Sequence, residues 1–129
     1  MDKQDREALS KKTIGAAIEV HRELGPGLLE SVYEYCLLEE LRKQGISVRH
    51  QVDLPIHYKG KRLEKDFRVD VLVEEEIIVE VKAVEAILPV HEVQLLTYLK
   101  LADKRLGLLM NFNVALMKKG IRRKINGYD

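Results

Sequence analysis

Two alternating runs dominate the middle of the chain: Val69, Val71 and Val73, then Ile77, Val79 and Val81, joined through Glu74-Glu75-Glu76. Period-two alternation about a short polar break predicts a β-hairpin. A turn centred on Glu75 sets Val69 opposite Val81, Val71 opposite Val79 and Val73 opposite Ile77, which makes one face wholly apolar. The other face carries Asp70 directly across from Glu80, with Leu72 and Ile78 toward the turn and Arg68 and Lys82 toward the open end. Upstream, Val48 to Tyr58 alternates with Val52, Leu54, Ile56 and Tyr58 on one side, and Lys59-Gly60 predicts a two-residue turn. That turn opposes Ile56 to Leu63 and Val52 to Phe67, carrying the apolar face across three strands. Pro55 marks the first of these strands as an edge or a bulged strand.

Elsewhere the apolar positions follow helical spacing. Ile14, Ala17, Ile18, His21 and Leu24 form the stripe of a first helix that ends before Gly25-Pro26-Gly27. A second helix runs from about Leu28 to Gln44 and stops at Gly45, offering Leu29, Val32, Tyr33, Cys36, Leu37 and Leu41 for burial. A third opens at Pro89 and reaches about Ala102, with Val93, Leu95, Leu96, Leu99 and Leu101 to cover a sheet. The apolar run Leu106–Asn111 reads as a central strand, and its arrival after a helix predicts parallel pairing with the strand that bears Glu80. Val114 to Met117 predicts an added edge strand. The order α-α-β-β-β-α-β is that of an α+β fold, a central mixed sheet flanked by helices in one domain over residues 1–129.

Composition narrows the picture. A chain of 129 residues can bury a core without disulfides or structural metal, and the lone Cys36, inside an apolar pattern, suits a reducing cytoplasm. No apolar run reaches membrane-spanning length and Met1–Glu7 is charged, so neither a membrane nor a secretory route is expected. The formal net charge of +1 provides no general field for nucleic acid, and such binding needs a local patch. Lys118, Lys119, Arg122, Arg123 and Lys124 make one basic run that could hold phosphates or simply keep a terminus soluble. His21 reads as a helix-packing residue, because no second His or Cys lies at metal spacing; His57 reads as a surface residue.

The candidate chemistry lies in the hairpin. Carboxylates directly opposed on a sheet repel unless a cation lies between them, and Mg²⁺ favours one or two protein carboxylates completed by water and phosphate oxygens. Charges alternating with valines more often mark a solvated face, but Ile77–Val84 is apolar almost throughout, and charges in such a strand are costly unless paired or metal-bound.

Asp70, nine residues, then Glu80-Val81-Lys82 resembles the motif of the PD-(D/E)XK nuclease superfamily, with Val69 where the motif has proline. Gly27-Leu28-Leu29-Glu30-Ser31-Val32-Tyr33 matches the Gly-x-x-Glu-x-x-Tyr signature of the GxxExxY protein family within it, and Gln94-x-x-x-Tyr98 resembles the glutamine motif of RecB-like members. The likeness runs from about Ile14 to Arg123. It implies a restriction endonuclease-like core and Mg²⁺-dependent hydrolysis of nucleic acid, with DNA the expected substrate and Mn²⁺ a substitute metal. It also implies roles: Asp70, Glu80 and the Val81 carbonyl as metal ligands, Glu30 joining through water, and Lys82 orienting the attacking water or neutralising phosphate. Gln94 would position these groups, and Tyr33 or Tyr98 would brace them. A homodimer would set two such sites on opposing strands of a duplex. The competing expectation is a catalytically inactive module of the same fold that binds nucleic acid or a protein; in a third, Lys82 merely neutralises both acids.

Overall fold

A computed structural model describes residues 1–127. Its strands are β1 Val48–Tyr58, β2 Lys61–Val73, β3 Ile77–Lys82, β4 Leu106–Asn111 and β5 Ile121–Ile125, arranged in one sheet in that order. Its helices are α1 Lys3–Leu24, α2 Glu30–Lys43 and α3 Pro89–Ala102, and a short 3-10 turn at Met117–Gly120 leads into β5. β1 to β3 are antiparallel, β4 joins β3 in parallel after the α3 crossover, and β5 returns antiparallel to β4. The mixed α+β sheet and its crossover are as the pattern predicts. The added edge strand lies later than expected: Val114 to Leu116 is irregular, and the pairing edge is formed by part of the basic run itself.

Two apolar layers hold the sheet. On one side α1 and α2 pack Ala17, Val20, Leu37 and Leu41 against Val71, Val79, Val81 and Leu108; on the other α3 packs Leu95 and Leu99 against Leu72, Ile78 and Leu109. β3 and β4 are buried on both faces, which explains their nearly continuous apolar sequence. Gly107 in β4 allows a close approach of α3: a Cβ built there would lie 2.8 Å from Leu95 Cδ1.

The helix boundaries shift from the expected ones for physical reasons. α1 starts at Lys3 because Asp2 caps it, its carboxylate accepting from the Asp5 N–H at 2.8 Å. Its buried face is Leu9, Thr13, Ala16, Ala17 and Val20 with His21, whereas Ile14 and Ile18 lie at the margin and Leu24 is exposed. Paired alanines let α1 sit close to its neighbours, and His21 Nε2 lies 2.7 Å from the Val114 carbonyl. α2 begins at Glu30 rather than Leu28, since Tyr33 folds the preceding loop back on the helix; Leu29 and Val32 are exposed. In α3 only Leu95 and Leu99 are fully buried, and Val93 faces outward.

The strand registers carry two corrections. The β2–β3 ladder pairs Val71 with Val79, Leu72 with Ile78 and Val73 with Ile77, as the turn at Glu75 requires, but it ends there; Val69 with Val81 and Asp70 with Glu80 are not rungs. In the first hairpin Tyr58 pairs with Lys61 and His57 with Arg62, then the register shifts between Pro55 and His57. Val52 therefore faces Val69, not Phe67, and Ile56 and Leu63 fall in the irregular stretch. The shift is two residues, an even number, so Val52 and Leu54 remain buried although Tyr58 is exposed. A second irregularity lies between the His50–Val71 and Val52–Val69 rungs: Gln51 has φ 52°, and the strands exchange faces around it. Val52 and Val69 consequently pack beneath α3, while Val71 packs beneath α2, so the expected single apolar face is divided at this level.

Candidate active site

The β2–β3 ladder stops one residue short of Asp70, and the site is built in the gap. Instead of a backbone rung, the Asp70 carboxylate takes the pairing: Oδ2 accepts the Val81 N–H at 2.8 Å. Oδ1 accepts from Gln51 Nε2 on β1 at 3.3 Å. The Gln51 amide also donates to Glu34 Oε1 on α2 at 2.7 Å, so β1, α2 and β2 converge on one polar cluster. Glu34 was not among the expected site residues. Its position four residues after Glu30, on the same side of α2, was the available signal. Gln51 had none, because its role depends on the break in alternation.

Glu80 supplies the decisive feature. It is only 8% exposed, and its Oε1 has no hydrogen-bond partner among the described residues. Burial, reinforced by the neighbouring Asp70 as proton acceptor and like charge, pushes its carboxyl up to about 10, with Lys82 pulling weakly the other way. Glu34 is also raised, chiefly by burial. Tyr98 stacks on Phe67 with ring centres 4.8 Å apart, and its phenol is raised by burial and then by Glu80 and Asp70, which it overlooks from α3. Lys82 is half-buried and makes no ion pair among the described residues; its charge acts on Glu80 at a distance.

The remaining expected residues divide. Glu30 Oε1 accepts the Ala83 N–H at 3.2 Å and so holds the backbone that follows Lys82. Tyr33 is fully buried, stacked on Phe112, with its hydroxyl donating to Gly25 O at 2.6 Å and accepting from the Leu28 N–H at 3.1 Å; it braces the loop that presents Glu30. Gln94 is exposed on α3, one turn before Tyr98. Of the basic run, Arg123 pairs with Glu7, Lys124 pairs with Glu92 at 2.7 Å, and Arg122 donates to the carbonyls of Lys119 and Ile121, while Lys118 and Lys119 are exposed. Asn111, a further residue missed from sequence, clamps the irregular segment that follows β3: its side chain accepts the Val84 N–H and donates to the Val84 carbonyl, both at 3.0 Å.

Among the described residues no three His, Cys, Asp or Glu side chains form a ready-made chelate. The donors nonetheless fit a hard divalent cation. Two carboxylates meet, one with a buried and unpartnered oxygen, and an ion such as Mg²⁺ takes its other ligands from water and substrate.

A family model of the PD-(D/E)XK nuclease superfamily matches residues 7–124. The chain belongs to this superfamily. Its five-stranded mixed sheet with flanking helices is the restriction endonuclease-like fold of such nucleases. No curated protein is similar enough to match the chain. Among solved structures, one described as the crystal structure of SSO0001 is similar in fold, with 20% identity and a TM-score of 0.50 over 77% of this chain. The match spans half the length of that protein. No helix among the described residues is long and apolar enough to cross a membrane.

Proposed function

We propose that this superfamily member is a metal-dependent nuclease that hydrolyses phosphodiester bonds of nucleic acid, with DNA as substrate and Mg²⁺ as metal. The observation that carries the proposal is the buried, unpartnered Glu80 Oε1 beside Asp70, two residues before Lys82. A buried carboxylate whose proton affinity is this far raised is poised to exchange its proton for a cation. The heptapeptide Gly27–Tyr33 supports a finer placement among GxxExxY proteins, and the lone Cys36 supports a cytoplasmic setting.

In this reading Asp70, Glu80 and the Val81 carbonyl hold the cation, with Glu30 contributing through water. When bound, the ion would polarise the phosphoryl group and acidify the attacking water. Lys82, close enough to act on Glu80, offers an ammonium to the phosphate or to that water. Glu30 and Asn111 keep the Lys82 backbone fixed through Ala83 and Val84, so the lysine is presented from a stiff support. Tyr98 closes the α3 side, and Gln94, on the same helix, faces incoming substrate. Within the basic run, Lys118, Lys119 and Arg122 make no ion pair among the described residues and are the ones left for phosphate once Arg123 and Lys124 are paired.

The test is calorimetric titration of metal-free protein with Mg²⁺ and Mn²⁺, beside Asp70→Asn and Glu80→Gln, followed by cleavage of DNA and RNA substrates. Wild-type binding that both variants lose, together with cleavage abolished in Asp70→Asn while its far-UV spectrum stays unchanged, is the expected result. Undiminished cleavage by Asp70→Asn would sink the assignment.

A further inference from the structure

Five described non-glycine residues have left-handed backbones: Gln51, Lys59, Glu74, Glu75 and Asp103. Lys59, Glu74 and Glu75 lie in the two hairpin turns and Asp103 caps α3, where positive φ is ordinary. Gln51 is the exception, inside β1 at φ 52°. A side chain inside a strand adopts this conformation only under strain.

We propose that Gln51 is a positioning residue that aims the Asp70 carboxylate at the cation. This role rests on the metal-dependent reading above. A Gln amide nitrogen has two hydrogens, and here both have acceptors, Glu34 Oε1 at 2.7 Å and Asp70 Oδ1 at 3.3 Å. The same nitrogen therefore bridges two acids that repel each other, with His50 Nε2 3.7 Å from the same Glu34 oxygen. The second oxygen of Asp70 is held by the Val81 N–H, so the carboxylate is fixed from β1 on one side and β3 on the other. The left-handed turn at Gln51 makes this possible. It interrupts the β1–β2 rungs at the level of Asp70, exchanges the faces of both strands, and directs the amide toward α2 instead of into a core. Groups that orient a ligand without touching the metal are commonly worth about 10–100-fold in affinity.

Glycine adopts φ 52° freely, which separates positioning from mere structure. The experiment titrates metal-free wild type, Gln51→Gly, Gln51→Ala and Asp70→Asn with Mn²⁺ and melts the same samples. Positioning requires Gln51→Gly to melt within a few degrees of wild type, strain relief offsetting the lost hydrogen bonds, while Mn²⁺ binds about 10–100-fold more weakly. Gln51→Ala should show the same loss of affinity. A large fall in melting temperature with wild-type Mn²⁺ affinity would make Gln51 purely structural and overturn the proposal. Wild-type affinity in both Gln51 variants, with binding lost in Asp70→Asn, would overturn it and leave the metal site standing. No Mn²⁺ binding by wild type would remove both.

Discussion

A carboxyl group raised to about 10 inside a protein stores an unfavourable interaction that shows in two ways. The folded state keeps the Glu80 proton at pH values where the unfolded chain, with an ordinary carboxyl near 4.5, has lost it. The proton therefore stabilises the fold fully below about 4.5, and this contribution is lost progressively as pH rises toward about 10. The raised Glu34 has the same sign. Melting of metal-free protein should accordingly decline from mildly acidic to mildly alkaline pH, and Glu80→Gln should flatten the decline and melt higher at the alkaline end. In the proposed reading a bound cation would displace that proton near neutral pH, so titration in buffers of different ionisation enthalpy should report release of about one proton. A profile in Glu80→Gln as steep as in wild type would locate the destabilising charge elsewhere.

Between α3 and β4 the energetics are those of close packing. Gly107 lets Leu95 reach the sheet, and a Cβ there would meet Leu95 at 2.8, 3.0 and 3.1 Å, from a side chain that is itself 1% exposed. Gly107→Ala should cost about 1–3 kcal/mol by overpacking, and Leu95→Ala about 2–5 kcal/mol by leaving a cavity. In the double variant the new methyl enters that cavity, so the two losses should fall short of their sum by about 1 kcal/mol or more in denaturant titrations. Strict additivity would mean that the two residues do not meet. At α2, Tyr33→Phe removes the hydroxyl that joins Gly25 O and Leu28 N. It should lower stability by about 1–3 kcal/mol and expose the Gly25–Leu29 loop to faster amide exchange.

The elements and their pairing were largely legible because each follows a period: two for β2 and β3, 3.6 for the helices, and a continuous apolar run for β4. Asp70, Glu80 and Lys82 were legible as a spaced motif. Gln51 and Glu34 were not, since alternation assumes unbroken strands and the β1–β2 pair exchanges faces where Gln51 meets Asp70. The late edge strand was hidden for a different reason. Arg122, Arg123 and Lys124 have no apolar alternation, and the last two are tied to the helical layers by Glu92 on α3 and Glu7 on α1, contacts visible only in three dimensions.

At the scale of the whole molecule, the sheet separates two apolar layers and the proposed site lies where their division is interrupted. The acids gather from α2, β2 and β3, so in the proposed reading a bound cation would add a further link between elements already joined there by the Gln51–Glu34, Gln51–Asp70 and Asp70–Val81 hydrogen bonds. A ligand that binds only the folded chain stabilises it by mass action, about 2.7 kcal/mol at one hundred times its dissociation constant. For a chain of this length that corresponds to a rise in melting temperature of about 10 °C. Wild type should therefore melt higher with increasing Mg²⁺ or Mn²⁺, whereas Asp70→Asn and Glu80→Gln should not respond. The metal-free order is a separate check: Glu80→Gln, relieved of its buried charge, should melt above wild type at alkaline pH, and saturating metal should narrow or reverse the gap. Asp70→Asn responding to metal as wild type does would mean that the cation binds away from the hairpin, because both arms of the comparison depend on the same two carboxylates.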